Sequence, residues 1–254
     1  MYRFLLRPRW VLFHLLVVGL VVLMVNLGFW QLRRLDERQA LNATLAERTA
    51  APAAALTDLL AAGDAAGEVG PVAYRTVEVT GRYAPDEEVL VVGRTYNGAT
   101  GSWVVTPLVL ADGSAVAVSR GWAPVVGGDP VPPDAVAPPG EVTVRGMLMP
   151  SERARGLAER PRERQEMFVR LDVTQLERQS DEQFFPAYVL LAEQSPPQPS
   201  RLPAPAPPPE RTEGSHLSYA VQWFTFSLMA LLGWVVVVRR HAAGADASAE
   251  PALA

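Results

Sequence analysis

Residues 10–30 and 217–238 are two stretches of 21 and 22 residues without one Asp, Glu, Lys or Arg. As helices they would run about 31 and 33 Å, the thickness of the hydrocarbon core of a bilayer. Gln31, Leu32, Arg33 and Arg34 follow the first stretch, where a cleavable signal peptide would offer small residues, so the stretch reads as an uncleaved anchor. Two spans put both termini on one face of a membrane and the chain between them on the other. The outer ends carry Arg3, Arg7, Arg9, Arg239 and Arg240, against Arg33, Arg34, Arg38 and Arg211 on the inner side of each span. By the positive-inside rule this margin places both termini in the cytoplasm and the central region outside it, although a loop this long translocates largely regardless of charge. The expectation is a multi-pass protein of the cell membrane, with the lipid bilayer as its first partner.

The first span leads into Leu32, Leu35, Leu41 and Leu45 at near-helical spacing among charged residues, which predicts a short amphipathic stalk. A small helix follows, capped by Thr57 or Asp58. Strand grammar then takes over in "AYRTVEVTGRY", "EEVLVVGR", "SWVVTPLVL", "AVAVSRGW", "EVTVRGMLM" and "PAYVLLAE", with Asp112-Gly113 as a hairpin turn. Between the fifth and sixth strands, "SERARGLAERPRERQE" is charged on every face, and Asp172 can cap a helix running to about Gln183. Residues 195–210 hold eight prolines in sixteen positions, a semi-rigid spacer expected to belong to neither neighbour. The predicted class is an α+β membrane protein in which two transmembrane helices flank a β-rich, mainly antiparallel extracytoplasmic domain. The predicted divisions are a tail over 1–9, spans over 10–30 and 216–238, the domain with its stalk over 31–194, a linker over 195–215 and a tail over 239–254.

A net charge of −4 without a basic stripe offers no footprint for nucleic acid. There is no cysteine, and the three histidines are His14, His216 and His241, so the central region has neither residue. Ser-His-Asp and Cys-His catalysis and histidine-based zinc sites are thereby excluded from it. A hydrolase using carboxylates alone, drawn from Asp86, Glu87, Glu88 or Asp172, stays open, though these occupy turn and cap positions. At the membrane edge His216, Tyr219, Ala220 and Trp223 recur at i, i+3, i+4 and i+7, one face of a helix. Two readings stand side by side. One is an interfacial belt of Tyr and Trp in which histidine is at home; the other is an imidazole that ligates the iron of a lipophilic haem while the rings pack on its porphyrin. His14 reads as a packing or snorkelling residue near the opposite face, and Asn26 as a hydrogen bond between the spans.

Several stretches in order resemble the surfeit locus 1 family of cytochrome c oxidase assembly factors. "LGFWQLRR" is similar to its Gly-x-Trp-Gln-x-x-Arg signature, carried by Gly28, Trp30, Gln31, Arg33 and Arg34. "VEVTGRY" is similar to its first outer strand, with Gly81 at the turn. "GSWVVTPLVL" with "VSRGWAP" is similar to its central hairpin, through Gly101, Trp103, Thr106, Pro107, Arg120, Gly121, Trp122 and Pro124. "HLSYAVQWFTF" is similar to the opening of its second span. The chain departs from the family in the arginine-rich "RPRERQEMFVRLD" and in its proline-rich approach to His216. The resemblance implies a non-enzymatic assembly factor for haem-copper cytochrome c oxidase, acting at insertion of haem a into the catalytic subunit, with that subunit and the haem a synthesis machinery as partners. It implies His216 as the haem ligand, Tyr219 and Trp223 beside it, and Gly28, Trp30, Gln31, Arg120 and Trp122 as interface or motif residues. Arg120 would pair with a haem propionate or an acidic patch of the oxidase, or serve the fold. A scaffold that stabilises a nascent oxidase subunit without a cofactor is the alternative role.

Overall fold

A computed structural model describes residues 3–62, 69–124, 135–152 and 164–247. The chain divides into two compact units: Met1–Thr44 with Arg211–Ala254, and Leu45–Glu210.

The first unit is an antiparallel helix pair. Helix α1 (Pro8–Ala50) opens with proline, whose missing N–H is no loss in a first turn. It continues without a break beyond its charge-free run into the leucine-bearing stalk, where Leu35 is buried. Helix α4 (His216–Ala247) begins after Gly214, at φ 68°, with the Tyr219 N–H donating to the Ser215 carbonyl at 3.1 Å. Both helices are long and apolar enough to cross a membrane, and their exposed Leu, Val and Phe side chains leave the apolar surface facing outward. At Gly28 an added Cβ would stand 2.6 Å from the Phe224 ring, so glycine permits the close approach of the two helices. Asn26, expected between the spans, instead donates to Val22 O of its own helix at 2.8 Å. It sits on an exposed face, where the carbonyl four residues back is the available acceptor.

The second unit is an eight-stranded mixed sheet. Its elements are β1 (Ala54–Ala55), α2 (Leu56–Ala62), β2 (Thr76–Tyr83), β3 (Val89–Tyr96), β4 (Ala99–Val109), β5 (Ser114–Pro124), β6 (Glu141–Pro150), β7 (Met167–Phe168), α3 (Val173–Glu177) and β8 (Gln183–Ser195). The order is β1-β2-β6-β8-β5-β4-β3-β7, and β2 also pairs with β4 through Arg82↔Val109 and Tyr83↔Leu108. Strands β2, β6, β8, β5 and β4 therefore close into a ring. Gly81 lies at the seam, where any side chain would meet Val109 O at 2.5 Å.

Alternation explains the lining. Val77 and Val79 of β2, Leu108 of β4, Val116 and Val118 of β5, Val142, Val144 and Leu148 of β6, and Ala187 and Val189 of β8 form one buried cluster. Ala115 and Ala117 of β5 point the other way and join Val89, Val91, Val105, Phe168, Leu171, Val173, Leu176 and Tyr188. Strand β5 is thus buried on both faces, which is why its sequence reads as nearly continuous small and branched apolar residues.

The six predicted strands are all present. Most neighbours are antiparallel, but β5 and β8 run parallel, and the two short strands β1 and β7 add parallel pairings. The connection from β5 to β8 contains β6, β7 and α3, ample length for a parallel return. Asp172 caps α3 as expected, accepting from the Thr174 N–H at 3.1 Å, but the helix ends at Glu177 rather than near Gln183, because Phe184 is drawn into β8 and the buried cluster. Thr57 and Asp58 sit inside the first turn of α2, not before it. The charged segment expected to be solvated lies outside the described residues over 153–163, as do residues 125–134 of the loop after β5.

The proline-rich segment differs most from expectation. Ala204 bridges Trp122 of β5 by two backbone hydrogen bonds, of 2.6 and 2.7 Å, and Ala206 is buried. The segment belongs to the second unit as far as Glu210. Proline lacks a donor but not an acceptor, so one alanine between Pro203 and Pro205 suffices for a single bridge.

Candidate functional site

His216 stands at the first position of α4, and its Nδ1 lies 2.8 Å from Gln31 Oε1 on α1. An amide oxygen only accepts, so the ring proton is on Nδ1 and the lone pair of the neutral imidazole is on Nε2. That nitrogen is the one a metal would take, and the bond to Gln31 holds both tautomer and ring orientation. His216 and Gln31 are each part-exposed. The approach is braced farther along α1, where Gln39 Nε2 donates to Glu213 Oε1 at 3.1 Å.

Around this pair the expected face of α4 divides. Ala220 is 1% exposed, turned against α1, whereas Tyr219 is 49% exposed. Trp30 is exposed too, and Trp223 is half-buried, edge-on to Phe226 at 6.2 Å. The site therefore combines one imidazole with an available nitrogen and outward-facing aromatic surface. Gly28 sits beneath it as the contact with Phe224.

His14 is held in the opposite sense. Its Nδ1 accepts from Trp234 Nε1 at 2.9 Å, so the neutral ring carries its proton on Nε2 and its lone pair is already engaged. Of the two rings, His216 is the one whose lone pair meets no protein donor among the described residues.

Arg120 and Trp122 lie in the other unit. Arg120 is the extra residue of a bulge in β5, where Val104 pairs with Gly121 and Val105 with Ser119. Its side chain is fully buried, with Nη1 on Glu88 Oε2 at 3.0 Å and Nη2 on Gln198 Oε1 at 3.2 Å, over the Tyr83 ring. Thr106 Oγ1 donates to the same Glu88 oxygen at 2.6 Å. Burial pushes the Glu88 carboxyl above its ordinary value, outweighing the Thr106 hydroxyl and the Arg120 charge. Burial likewise raises Tyr83, against the pull of Arg120. The Trp122 indole donates to Arg94 O at 2.9 Å and is 7% exposed. Gly101 and Gly121 are the close-approach positions here: a Cβ at either would come 2.2 Å from a backbone oxygen, of Ala123 and Ala204 respectively.

The other carboxylates named from sequence have separate partners. Asp172 caps α3 and Glu87 accepts from Ser180 Oγ at 2.5 Å, while at Asp86 it is the backbone carbonyl, not the carboxylate, that accepts from Arg164. Three partnerships were not readable from the sequence: Gln31 with His216, Trp234 with His14, and Arg120 with Glu88. The first two join residues 185 and 220 positions apart, and no local pattern signals them.

The pattern of the SURF1 family matches residues 18–228, from within α1 through the sheet and into α4. The chain belongs to the SURF1 family. It is 30% identical over 232 residues to a SURF1-like protein of Mycobacterium tuberculosis, covering 91% of this chain and 83% of the relative. It is 27% identical over 236 residues to a SURF1-like protein of Monosiga brevicollis, covering 88% and 87%. A SURF1-like protein of Rickettsia felis matches at 28% over 111 residues, 43% of this chain and 45% of that one. The SURF1 family is associated with oxidase assembly and is not a known enzyme family.

Proposed function

We propose that this protein assists assembly of haem-copper cytochrome c oxidase by taking haem a as cargo at His216 and passing it to the catalytic subunit. The observation that carries the reading is the His216–Gln31 pair, which leaves Nε2 with its lone pair at a part-exposed position beside Tyr219 and Trp30. A single protein ligand suits a transient holder, since the cargo must leave. A bound haem would supply an iron able to accept a lone pair, and His216 Nε2 would be the residue to donate it. The work of this chain is to fix the imidazole tautomer, offer aromatic surface and bring the site to the bilayer edge.

In this reading α1 and α4 span the cell membrane with both termini cytoplasmic, and the sheet domain stands outside, where the catalytic subunit and the haem a synthesis machinery are its partners. Membranes from a strain lacking the gene are expected to lose the a-type haem signal in reduced-minus-oxidised spectra while keeping b- and c-type signals. Protein purified from cells that make haem a is expected to show a Soret band that His216→Ala removes. An unchanged a-type signal would sink the assembly role. A missing Soret band in a protein that still restores the oxidase would move the function to a cofactor-free scaffold.

A further inference from the structure

The opposite end of the helix pair has its own chemistry. Phe4, Trp10 and His241 pack ring on ring, with centroids 4.9 Å apart for Phe4–Trp10, 4.6 Å for Phe4–His241 and 4.8 Å for Trp10–His241. Beside them Arg9, Trp10 and Phe13 of α1 and Val237 of α4 line a groove of about 280 Å³. Arg9 and Phe13 are one helical turn apart, so a cation and an aromatic wall share one side of it. Arg7, Arg9, Arg239 and Arg240 are exposed and make no ion pair among the described residues. No Asp or Glu occurs in residues 1–35 or 217–245 to neutralise them. Four cations with no ion pair among the described residues thus lie in or near an apolar groove on helices long enough to cross a membrane.

We propose that this groove holds one anionic phospholipid, with its phosphate on Arg9 and an acyl chain along Trp10, Phe13 and Val237. Guanidinium matches phosphate oxygens in a bidentate fork, and an indole belongs at the depth where headgroup meets chain. Free phosphate would use the cation and leave the apolar wall bare. A zwitterionic lipid would fill the wall and leave the neighbouring arginines without a net counter-charge. The proposal rests on the two helices lying in a bilayer and is independent of haem.

The test is competition between lipids on the full-length protein. Detergent-purified protein is mixed with equal amounts of phosphatidylglycerol and phosphatidylcholine, and native mass spectrometry counts the adducts retained. Phosphatidylglycerol is expected to be preferred, and Arg9→Gln to lower that preference about fivefold, the share of one arginine at an anionic surface. Arg7→Gln, nearby but outside the lining, is expected to leave most of it, and Phe13→Ala to weaken retention of both lipids. Arg9 is exposed with no hydrogen bond among the described residues, so its loss should spare the fold, which circular dichroism checks. Equal retention of the two lipids, or equal losses from Arg7→Gln and Arg9→Gln, would overturn the proposal. So would removal of the adduct by excess inorganic phosphate, which would reduce the site to an anion contact.

Discussion

Arg120 and His216 are both polar side chains held by a partner far away in sequence, and they are held for opposite ends. Around Arg120 the sheet folds inward: a carboxylate, a hydroxyl, an amide and a ring converge on a guanidinium that solvent does not reach. Around His216 one nitrogen is engaged by Gln31 and the other has no partner among the described residues. The first arrangement specifies a structure, and the second leaves a valence for something outside the chain. Buried charge therefore marks the fold in the second unit, while half-satisfied, part-exposed nitrogen marks the candidate site in the first.

The comparison breaks most visibly at Arg120. Arg120→Ala strands the Glu88 carboxyl, and urea unfolding is expected to show a loss of about 3–5 kcal/mol, as for a buried pair deprived of one member. A loss under about 1 kcal/mol would mean that the pair is wet and that the contrast with His216 is empty. Next comes Gly121→Ala, whose Cβ would press on Ala204 O at a φ of 142°. It should cost about 1–3 kcal/mol and speed tryptic cleavage at Arg201 by loosening the proline-rich segment.

The open site is probed by Gln31→Leu, expected to weaken haem retention by tenfold or more without changing the thermal midpoint, as loss of an orienting partner does. Gln31→Glu, which still offers an acceptor, should keep most of it. The smallest effect is a slope. Burial holds the folded-state pKa of Glu88 above its ordinary value of 4.5, so the folded state binds its proton more tightly than the unfolded one. Stability from this group is full below about 4.5 and is lost as pH rises through the raised value. The difference in stability between wild type and Glu88→Gln should therefore decline with rising pH from that point, and a flat difference would show that Arg120 fully compensates burial.

Much of the architecture was legible because it rests on short-range patterns. Alternation announced β2, short apolar stretches in quick succession announced the strands after it, and Asp112-Gly113 announced the hairpin, where Gly113 takes φ 85° and Asp112 Oδ1 accepts from Ser114. Two lengths without charge announced the helices. What escaped is what depends on who meets whom. Nothing in β8 says that its neighbours are β5 and β6, since apolar strands pair with any apolar strand of the right length. The prolines of 196–209 hid the one residue that bridges Trp122. Of the candidate site, the residues His216, Tyr219, Trp223, Trp30 and Gln31 were nameable, but the hydrogen bond that decides which imidazole nitrogen is free required both helices in place.

The position of β8 bears on how the domain is made. It is the last strand synthesised, yet it lies in the middle of the sheet, parallel to β5 on one side and antiparallel to β6 on the other. Until it arrives, the two halves of the ring each present an open edge, and only one short seam between β2 and β4 joins them. A domain of this topology gains most of its cooperativity when its final strand is threaded between the halves, so a chain stalled or truncated before Gln183 would be a pair of sticky sheets rather than a smaller barrel.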